Sequence, residues 1–371
     1  MRKPTLHLLG LFHTITTQEY SSCAFTGKIL RFPKMMHLYD WKIIEYGNSH
    51  TESEADEFVP ILSKQEYDNL IASLDKNQVH HTIGNNLHKK FEERLIDAIS
   101  IRLKDHDIVC HTFGDTHEIL SQKFKNVFHV ESGIGYPNIV LPLRIFESYA
   151  WMHYSLGIKK EGGNNYVWVI PNYFELNDWT FSPKVSEDRP IVFMGRIIEC
   201  KGMYTIREIA KKLPNRIFKI AGKGDFEHFF HGMPNIIYCG ALQGAERNTF
   251  LQGAAAMLLP TSYIEPFGGA LIEAQLVGIP SITTNYGAFA ETVEQGKNGF
   301  RCNTLGDWLA AIEEVDKLDR KYISERARQL YSLETVGAQY DKVFRMIYDM
   351  RDKGWYTEES YCIPMPNNKL I

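Results

Sequence analysis

Two carboxylates eight positions apart enclose the segment Glu265-Pro266-Phe267-Gly268-Gly269-Ala270-Leu271-Ile272-Glu273. Before it comes an apolar run, Ala254 to Pro260, with the length of a buried strand. Pro266 forces extended backbone on the residue before it, the two glycines let main chain approach a ligand, and a helical pattern follows. A helix opening there turns unpaired N–H groups and its positive dipole end toward whatever lies above the strand, which favours an anion such as a diphosphate. Glu265 then precedes the helix and Glu273 lies about a turn and a half inside it, roughly 9 Å further along at ~1.5 Å per residue. That offset suits a ligand with hydroxyls on both sides of a diphosphate. A nucleotide sugar is such a ligand, with a hexose at one end and a ribose at the other. The alternative is a glycine-rich turn with two solvated glutamates on an ordinary helix.

A second charged group lies upstream. Ile191 to Met194 reads as a buried strand that runs into Gly195-Arg196-Ile197-Ile198-Glu199-Cys200-Lys201-Gly202, with a helix from Tyr204 to Lys212 after it. Cations near a helix start oppose its dipole, so Arg196 and Lys201 make physical sense there as partners of an anion. Both would stabilise a diphosphate as a leaving group. Phe218 to Ala221 is a further strand, followed by the turn Gly222-Lys223-Gly224-Asp225, and Ile236 to Gly240 is another. Ala245 to Ala255 is helical, Ser281 to Thr284 is a strand, and Glu291 reads as structural.

Together these segments resemble the retaining glycosyltransferases of family 4 (glycosyl transferases group 1), which have the GT-B fold. Their signature is two glutamates eight positions apart around a Phe-Gly-Gly turn, with Gly-Arg and Lys-Gly elements upstream, as found here between Gly195 and Glu273. The resemblance implies an α/β architecture of two Rossmann-like parallel-sheet domains facing a central cleft. It implies that Glu265 contacts the donor sugar and Glu273 the ribose, with Gly195, Arg196, Lys201, Gly222, Phe267, Gly268 and Gly269 around the diphosphate. Ala241-Leu242 would hold the base largely through main chain, so Leu242 joins the donor site. His129, read as the end of a strand from Asn126, is expected to touch the sugar from the other domain. The catalytic set is then His129, Glu265, Arg196 and Lys201. The donor would be a UDP-, GDP- or ADP-sugar, with no metal and no other cofactor. Retention implies attack from the face the diphosphate leaves, its oxygen acting as base.

The elements that position these groups alternate along the chain. Thr5 to Phe12 reads as a strand, with a polar loop after it in which Gly10 alone stands where the resembled family often has adjacent glycines. His13, Tyr20 and Ser21 have the reach to meet a phosphate or an acceptor, with ordinary loop polarity the alternative. His37 to Tyr46 is a strand, Glu52 to Asp75 a charged insertion, Phe91 to Leu103 a helix, and Asp107 to His111 a strand. Asp105-His106-Asp107 matches an Asp-x-Asp metal pattern only superficially, because Asp107 starts a strand. Gly133 to Pro137 and Arg144 to Trp151 read as loop and helix of an acceptor-side wall, with core packing the alternative for their aromatics. Tyr166 to Ile170 is a strand, and Asn177 to Pro190, rich in Asp, Ser and Pro, reads as a linker. Thr335 to Asp349 carries a strong apolar stripe. In the resembled fold the last helix crosses back onto the first domain, where the tail from Gly354 would also pack. The expected division is 1–180, 181–335 and 336–371.

With 371 residues, 44% of them hydrophobic, the chain is too long for one core and fits two domains. A formal charge of -4 gives no global pull toward nucleic acid or acidic membranes. The six cysteines, Cys23, Cys110, Cys200, Cys239, Cys302 and Cys362, lack paired metal-ligand spacing, and a reducing cytoplasmic setting is the simple inference. No apolar run approaches the ~18 to 20 residues that span a bilayer. The acceptor is open among glycan, lipid, small molecule, protein and modified base. Two other classes fit the same residues. One is an epimerase or phosphorylase on the same fold; the other is a non-catalytic nucleotide-sugar-binding protein, against which the joint presence of Glu265, Arg196, Lys201 and Glu273 argues.

Overall fold

The computed structural model describes residues 3–18, 24–74 and 82–353, without the side chains of 351–353. Tyr20, Ser21 and the tail from Gly354 lie outside the described residues. The chain divides into two compact units: Met1–Glu147 with Ser155–Tyr173 and Leu333–Ile371, and Ser148–Tyr154 with Phe174–Ser332.

The first unit contains β1 (Thr5–Leu9), α1 (Ala24–His37), β2 (Lys42–Gly47), β3 (Glu57–Pro60), α2 (Lys64–Ser73), α3 (Asn86–Ser100), β4 (Ile108–His111), α4 (Glu118–Lys123), β5 (Phe128–Ile134) and β6 (Leu143–Phe146). Next come α5 (Tyr149–Lys159), divided between the units after Tyr154, and β7 (Val167–Val169). The strands form a seven-stranded parallel sheet in the order β3-β2-β1-β4-β5-β6-β7. Both faces are covered. Leu6 and Leu8 of β1 belong to one apolar cluster and Leu9 to another, and Ile43 and Ile44 of β2 divide the same way. That is the period-2 alternation of a strand, with each face buried, as expected of a parallel sheet.

In the second unit, β8 (Ile191–Met194), α6 (Met203–Lys212), β9 (Phe218–Ala221), α7 (Phe226–Phe230), β10 (Ile236–Tyr238), α8 (Ala245–Leu251), β11 (Ala256–Leu259) and α9 (Gly269–Val277) follow one another. They continue into β12 (Ser281–Thr284), α10 (Phe289–Thr292), β13 (Gly299–Cys302), α11 (Leu305–Glu314) and α12 (Arg320–Tyr331). Its six-stranded parallel sheet has the order β10-β9-β8-β11-β12-β13. The order reverses between β8 and β11, so the loops leaving those two neighbours part to opposite sides. In open α/β sheets ligands settle at such a switch point, at the carboxyl ends of the strands.

The chain passes from the first unit to the second at Tyr173–Phe174, and the Asp/Ser/Pro-rich stretch after it lies along the second unit. There the Ser182 amide donates to Val277 O at 2.9 Å and the Ser186 amide to Gly253 O at 2.9 Å. The final helix, α13 (Leu333–Lys353), returns to the first unit, where Val336, Tyr340, Val343, Phe344 and Ile347 enter the cluster with Leu6, Ile29 and Trp41. Among the described residues no helix is long and apolar enough to cross a membrane.

Several local expectations fail: the strand expected from His37 begins at Lys42, because α1 runs through His37. The charged stretch Glu52 to Asp75 contains β3 and α2, the latter opened by a capping box of Ser63 and Glu66. β6 occupies the start of the segment expected to be helical. Its Arg144 fits a buried strand because the guanidinium donates to Leu141 O at 2.6 Å and pairs with Glu161. β5 runs to Ile134, with a bulge between Ser132 and Ile134 where Gly133 takes a left-handed φ of 66°.

Phe344 is fully buried and packs edge-on to Trp41 at 5.8 Å and Phe32 at 6.2 Å between ring centroids. Phe344→Ala is expected to lower the unfolding free energy by about 3 to 5 kcal/mol. A denaturant midpoint within error of wild type would show that α13 contributes no packing to that core.

Candidate functional site

The turns that follow β8, β9 and β10 are stitched side by side at the carboxyl edge of the second sheet. The Gly195 amide donates to Ala221 O at 2.9 Å, the Ile197 amide to Lys223 O at 2.8 Å, and the Gly222 amide to Gly240 O at 2.8 Å. Gly222 adopts φ 149°, and a Cβ there would stand 1.7 Å from Gly195 O, so no other residue fits. Arg196 projects from this edge, exposed to solvent. Lys201 ends a short 3-10 turn, Glu199–Lys201, immediately before α6. The backbone next to it presses on the end of β11.

That neighbour is the segment Thr261 to Gly268, and its main chain is held on every side. The Ser262 amide donates to Cys200 O at 2.8 Å, Tyr286 Oη to Thr261 O at 2.7 Å, the Ala288 amide to Glu265 O at 3.1 Å, and Ser148 Oγ to Pro266 O at 2.6 Å. Glu291 caps the first turn of α5 by accepting from the Tyr149 and Ala150 amides, at 3.0 and 2.7 Å, which fixes the helix start that Ser148 immediately precedes. Phe267 turns inward, 3% exposed, with its ring edge-on to Tyr331 at 5.7 Å. Gly268, at φ 85°, then starts α9, which has neither a side-chain cap nor an acidic residue in its first turn. The Leu271 amide turns back to Gly268 O at 2.9 Å, and the Gly269 and Ala270 amides before it are the positions where a helix start can receive an anion.

Charged side chains converge on the same place. Lys201 Nζ donates to Glu265 Oε2 at 2.7 Å, and Tyr263 Oη donates to that same oxygen at 2.7 Å. The ammonium also lies 4.8 Å from the centre of the Tyr263 ring. Burial and the Glu265 charge push the phenol's pKa up, so it remains a donor. One helical stretch further on, Glu273 is 8% exposed and paired with Arg247 of α8. The array offers amides and two cations, Arg196 and Lys201, to a central anion, with one carboxylate before the helix start and one beyond it. Hydroxyls on either side of that anion would find an acceptor.

Residues 178–331 match the glycosyl transferases group 1 family. A curated relative, the 2-deoxystreptamine N-acetyl-D-glucosaminyltransferase of Niallia circulans, is 34% identical over 144 residues, 35% of this chain. The match spans about a third of that relative's own length, 36%. Among solved structures, sucrose-phosphate synthase from Thermosynechococcus elongatus superposes with a TM-score of 0.67 at 14% identity, covering 93% of this chain and 99% of the other. Anabaena HepE, solved in complex with UDP and glucose, gives a TM-score of 0.62 at 15% identity over 93% and 100% of the two chains. Two parallel-sheet α/β domains with these neighbours constitute the GT-B fold.

Gly195, Arg196, Lys201, Gly222, Glu265, Gly268, Gly269 and Glu273 all lie at or just beyond the carboxyl edge of the second sheet, and the ion pair joins two of them directly. Leu242 follows β10, half-buried against the second unit's core. Phe267 was expected beside the ligand; its ring is instead a core anchor for the loop. Two functional candidates went unnoticed in the sequence. Tyr263 lies two positions before Glu265, and in extended backbone that spacing puts both side chains on one face. Arg247 carries no such local signal, because only the fold of α8 against α9 brings it to Glu273.

In the first unit, His88, Glu92 and His117 place ligand atoms within 4.8 Å of one another. His88 is already committed. Its Nδ1 accepts from the Gly84 amide at 3.2 Å, so Nε2 carries the proton and donates to Thr116 O at 2.7 Å. No metal is assigned there. Asp107 accepts from the Lys104 amide at 2.9 Å and is paired with His7 at 3.0 Å, which makes it a structural carboxylate.

His129 requires a correction. It is the second residue of β5, not the end of a strand, and is 4% exposed. Its Nε2 donates to Phe124 O at 3.0 Å and its Nδ1 accepts from His111 Nε2 at 3.0 Å, so neither nitrogen is left for a sugar hydroxyl. Burial lowers its pKa to about 4. As pH falls from the ordinary ~6.5 toward 4, the unfolded chain takes up a proton that the folded one refuses, so stability drops across that window by on the order of 3 kcal/mol. His129→Gln is expected to flatten the decline in unfolding free energy between pH 6.5 and 4. An unchanged slope in denaturant titrations at those pH values would mean that His129 is not held neutral.

Proposed function

We propose that this chain, whose residues 178–331 match the glycosyl transferases group 1 family, is a glycosyltransferase that moves a hexose or pentose from a nucleoside-diphosphate sugar to an acceptor hydroxyl with retained configuration. The observation that carries the proposal is the Lys201–Glu265 pair beside the uncapped start of α9. A cation, a helix N-terminus and a carboxylate then meet at the sheet's switch point.

The diphosphate takes the first amides of α9 and the charges of Lys201 and Arg196, which supply positive charge without a metal. Glu265 accepts from a hydroxyl of the sugar and orients it; Glu273, steadied by Arg247, accepts from the ribose. The bond from the anomeric carbon to the diphosphate oxygen breaks with its electron pair going to the diphosphate. The acceptor oxygen attacks on that same face and gives its proton to the departing oxygen. No protein nucleophile is required, and His129 takes no part.

Thermal-shift measurements against UDP-glucose, GDP-glucose and ADP-glucose, followed by transfer assays with added acceptors that read release of the nucleoside diphosphate, test the reading. Donor hydrolysis alone does not separate a transferase from an epimerase or phosphorylase on the same fold; transfer to an added acceptor with release of the nucleoside diphosphate does. Glu265→Ala and Lys201→Ala are each expected to lower transfer by ~10²-fold or more, the scale of one transition-state electrostatic contact. Near-normal turnover in both variants would refute the site.

A further inference from the structure

Lys201 and Tyr263 both donate to one oxygen of Glu265, Oε2, each at 2.7 Å, and no described residue donates to Oε1. Two donors on a single oxygen fix the plane of the carboxylate and leave the second oxygen as the ligand's. The two donors nevertheless differ in kind. Lys201 is a charge on a flexible stem, and any diphosphate bound at the start of α9 competes for it. Tyr263 is a neutral donor on a rigid ring, indifferent to the diphosphate's charge.

We propose that Tyr263 is the positioning residue of the donor site: its phenol retains the Glu265 carboxylate in its sugar-binding pose when the diphosphate draws the Lys201 ammonium away. This rests on the glycosyltransferase reading above and adds what keeps its sugar contact in register. Without the phenol, Glu265 would be held through the lysine alone, and the carboxylate would be free to swing once that ammonium turned to phosphate. The Tyr263 ring serves the same exchange. With the ammonium 4.8 Å from its centroid, the ring face supports Lys201 between its two anionic partners. The main-chain bonds of Ser262 and Glu265 to Cys200 and Ala288 fix the backbone on both sides of Tyr263, so the ring has a defined origin.

Calorimetric binding of UDP, GDP, ADP and their glucose conjugates to wild type, Tyr263→Phe, Glu265→Ala and the double variant tests this. Tyr263→Phe keeps the ring under Lys201 and removes only the hydroxyl. It is expected to bind the free nucleoside diphosphate within ~2-fold of wild type and the glucose conjugate about tenfold more weakly, the value of one hydrogen bond to a charged group. In the Glu265→Ala background the same change is expected to have no further effect, because the phenol acts through that carboxylate. Equal weakening of nucleotide and conjugate, or an undiminished effect in the absence of Glu265, would overturn the assignment. If wild type binds none of the six compounds, the donor-site reading itself falls and this inference with it; binding by wild type with an additive cycle removes the inference alone. Ligand-free melting curves of the four proteins separate loss of folding from loss of binding.

Discussion

The site depends on a contact between two loops that leave neighbouring strands of one sheet. Lys201 follows β8 and Glu265 follows β11, and their ammonium and carboxylate meet at 2.7 Å with side chains only 16% and 13% exposed. An ion pair this sheltered is worth more than a solvated one, but it also requires geometry and further hydrogen bonds to offset the loss of water. Those come from Tyr263 and from the stitched main chain of Thr261 to Gly268. The loop is thereby held in shape before any ligand arrives, and the first turn of α9 is aimed without a side chain of its own to cap it. An anion entering there would find its donors in place and would have only the lysine to redirect.

The second unit was legible in the sequence because its constraints are local. β8, β9 and β12 fall where their apolar runs put them, at Ile191–Met194, Phe218–Ala221 and Ser281–Thr284. Their turns are spelled by glycines that sterics demand, such as Gly222 against Gly195 O and Gly202, whose Cβ would stand 2.0 Å from Pro260 O. Such positions cannot be filled otherwise, so a motif at fixed spacing reports them. Phe267 shows the limit of that reasoning. A ring inside a ligand motif reads as a ligand contact, whereas burial against Tyr331 decides its direction.

The first unit was harder because its strands carry polar residues whose partners lie far along the chain. Arg144 in β6 depends on Glu161, His7 in β1 on Tyr46 and Asp107, and His129 in β5 on His111 and Phe124. Arg144 reads as part of a loop-and-helix wall, and His129 as a site residue, until the partner is known. The same holds for Glu131, which accepts from the Val140 and Leu141 amides at 3.0 and 2.8 Å and whose pKa burial raises to about 7. Period-2 patterning is blurred wherever such residues replace apolar ones, and strand ends shift accordingly. The displaced end of β5 is what made His129 look like a ligand residue.

The likeness to known proteins divides along the same line, for the same physical reason. A family match confined to residues 178–331 accompanies a structural likeness that covers 93% of the chain at 14% identity. A doubly wound sheet needs only apolar residues of suitable size on both faces of its strands, and many sequences meet that condition. The turn cluster at the edge of the second sheet, stitched amide to carbonyl, has no such latitude. Its glycines must admit the main chain, and its cation and carboxylate must reach the same point from two separate loops. The more a function is carried by main chain approaching main chain, the more of it is written in short segments, and the less of it depends on the side chains that differ between one GT-B protein and the next.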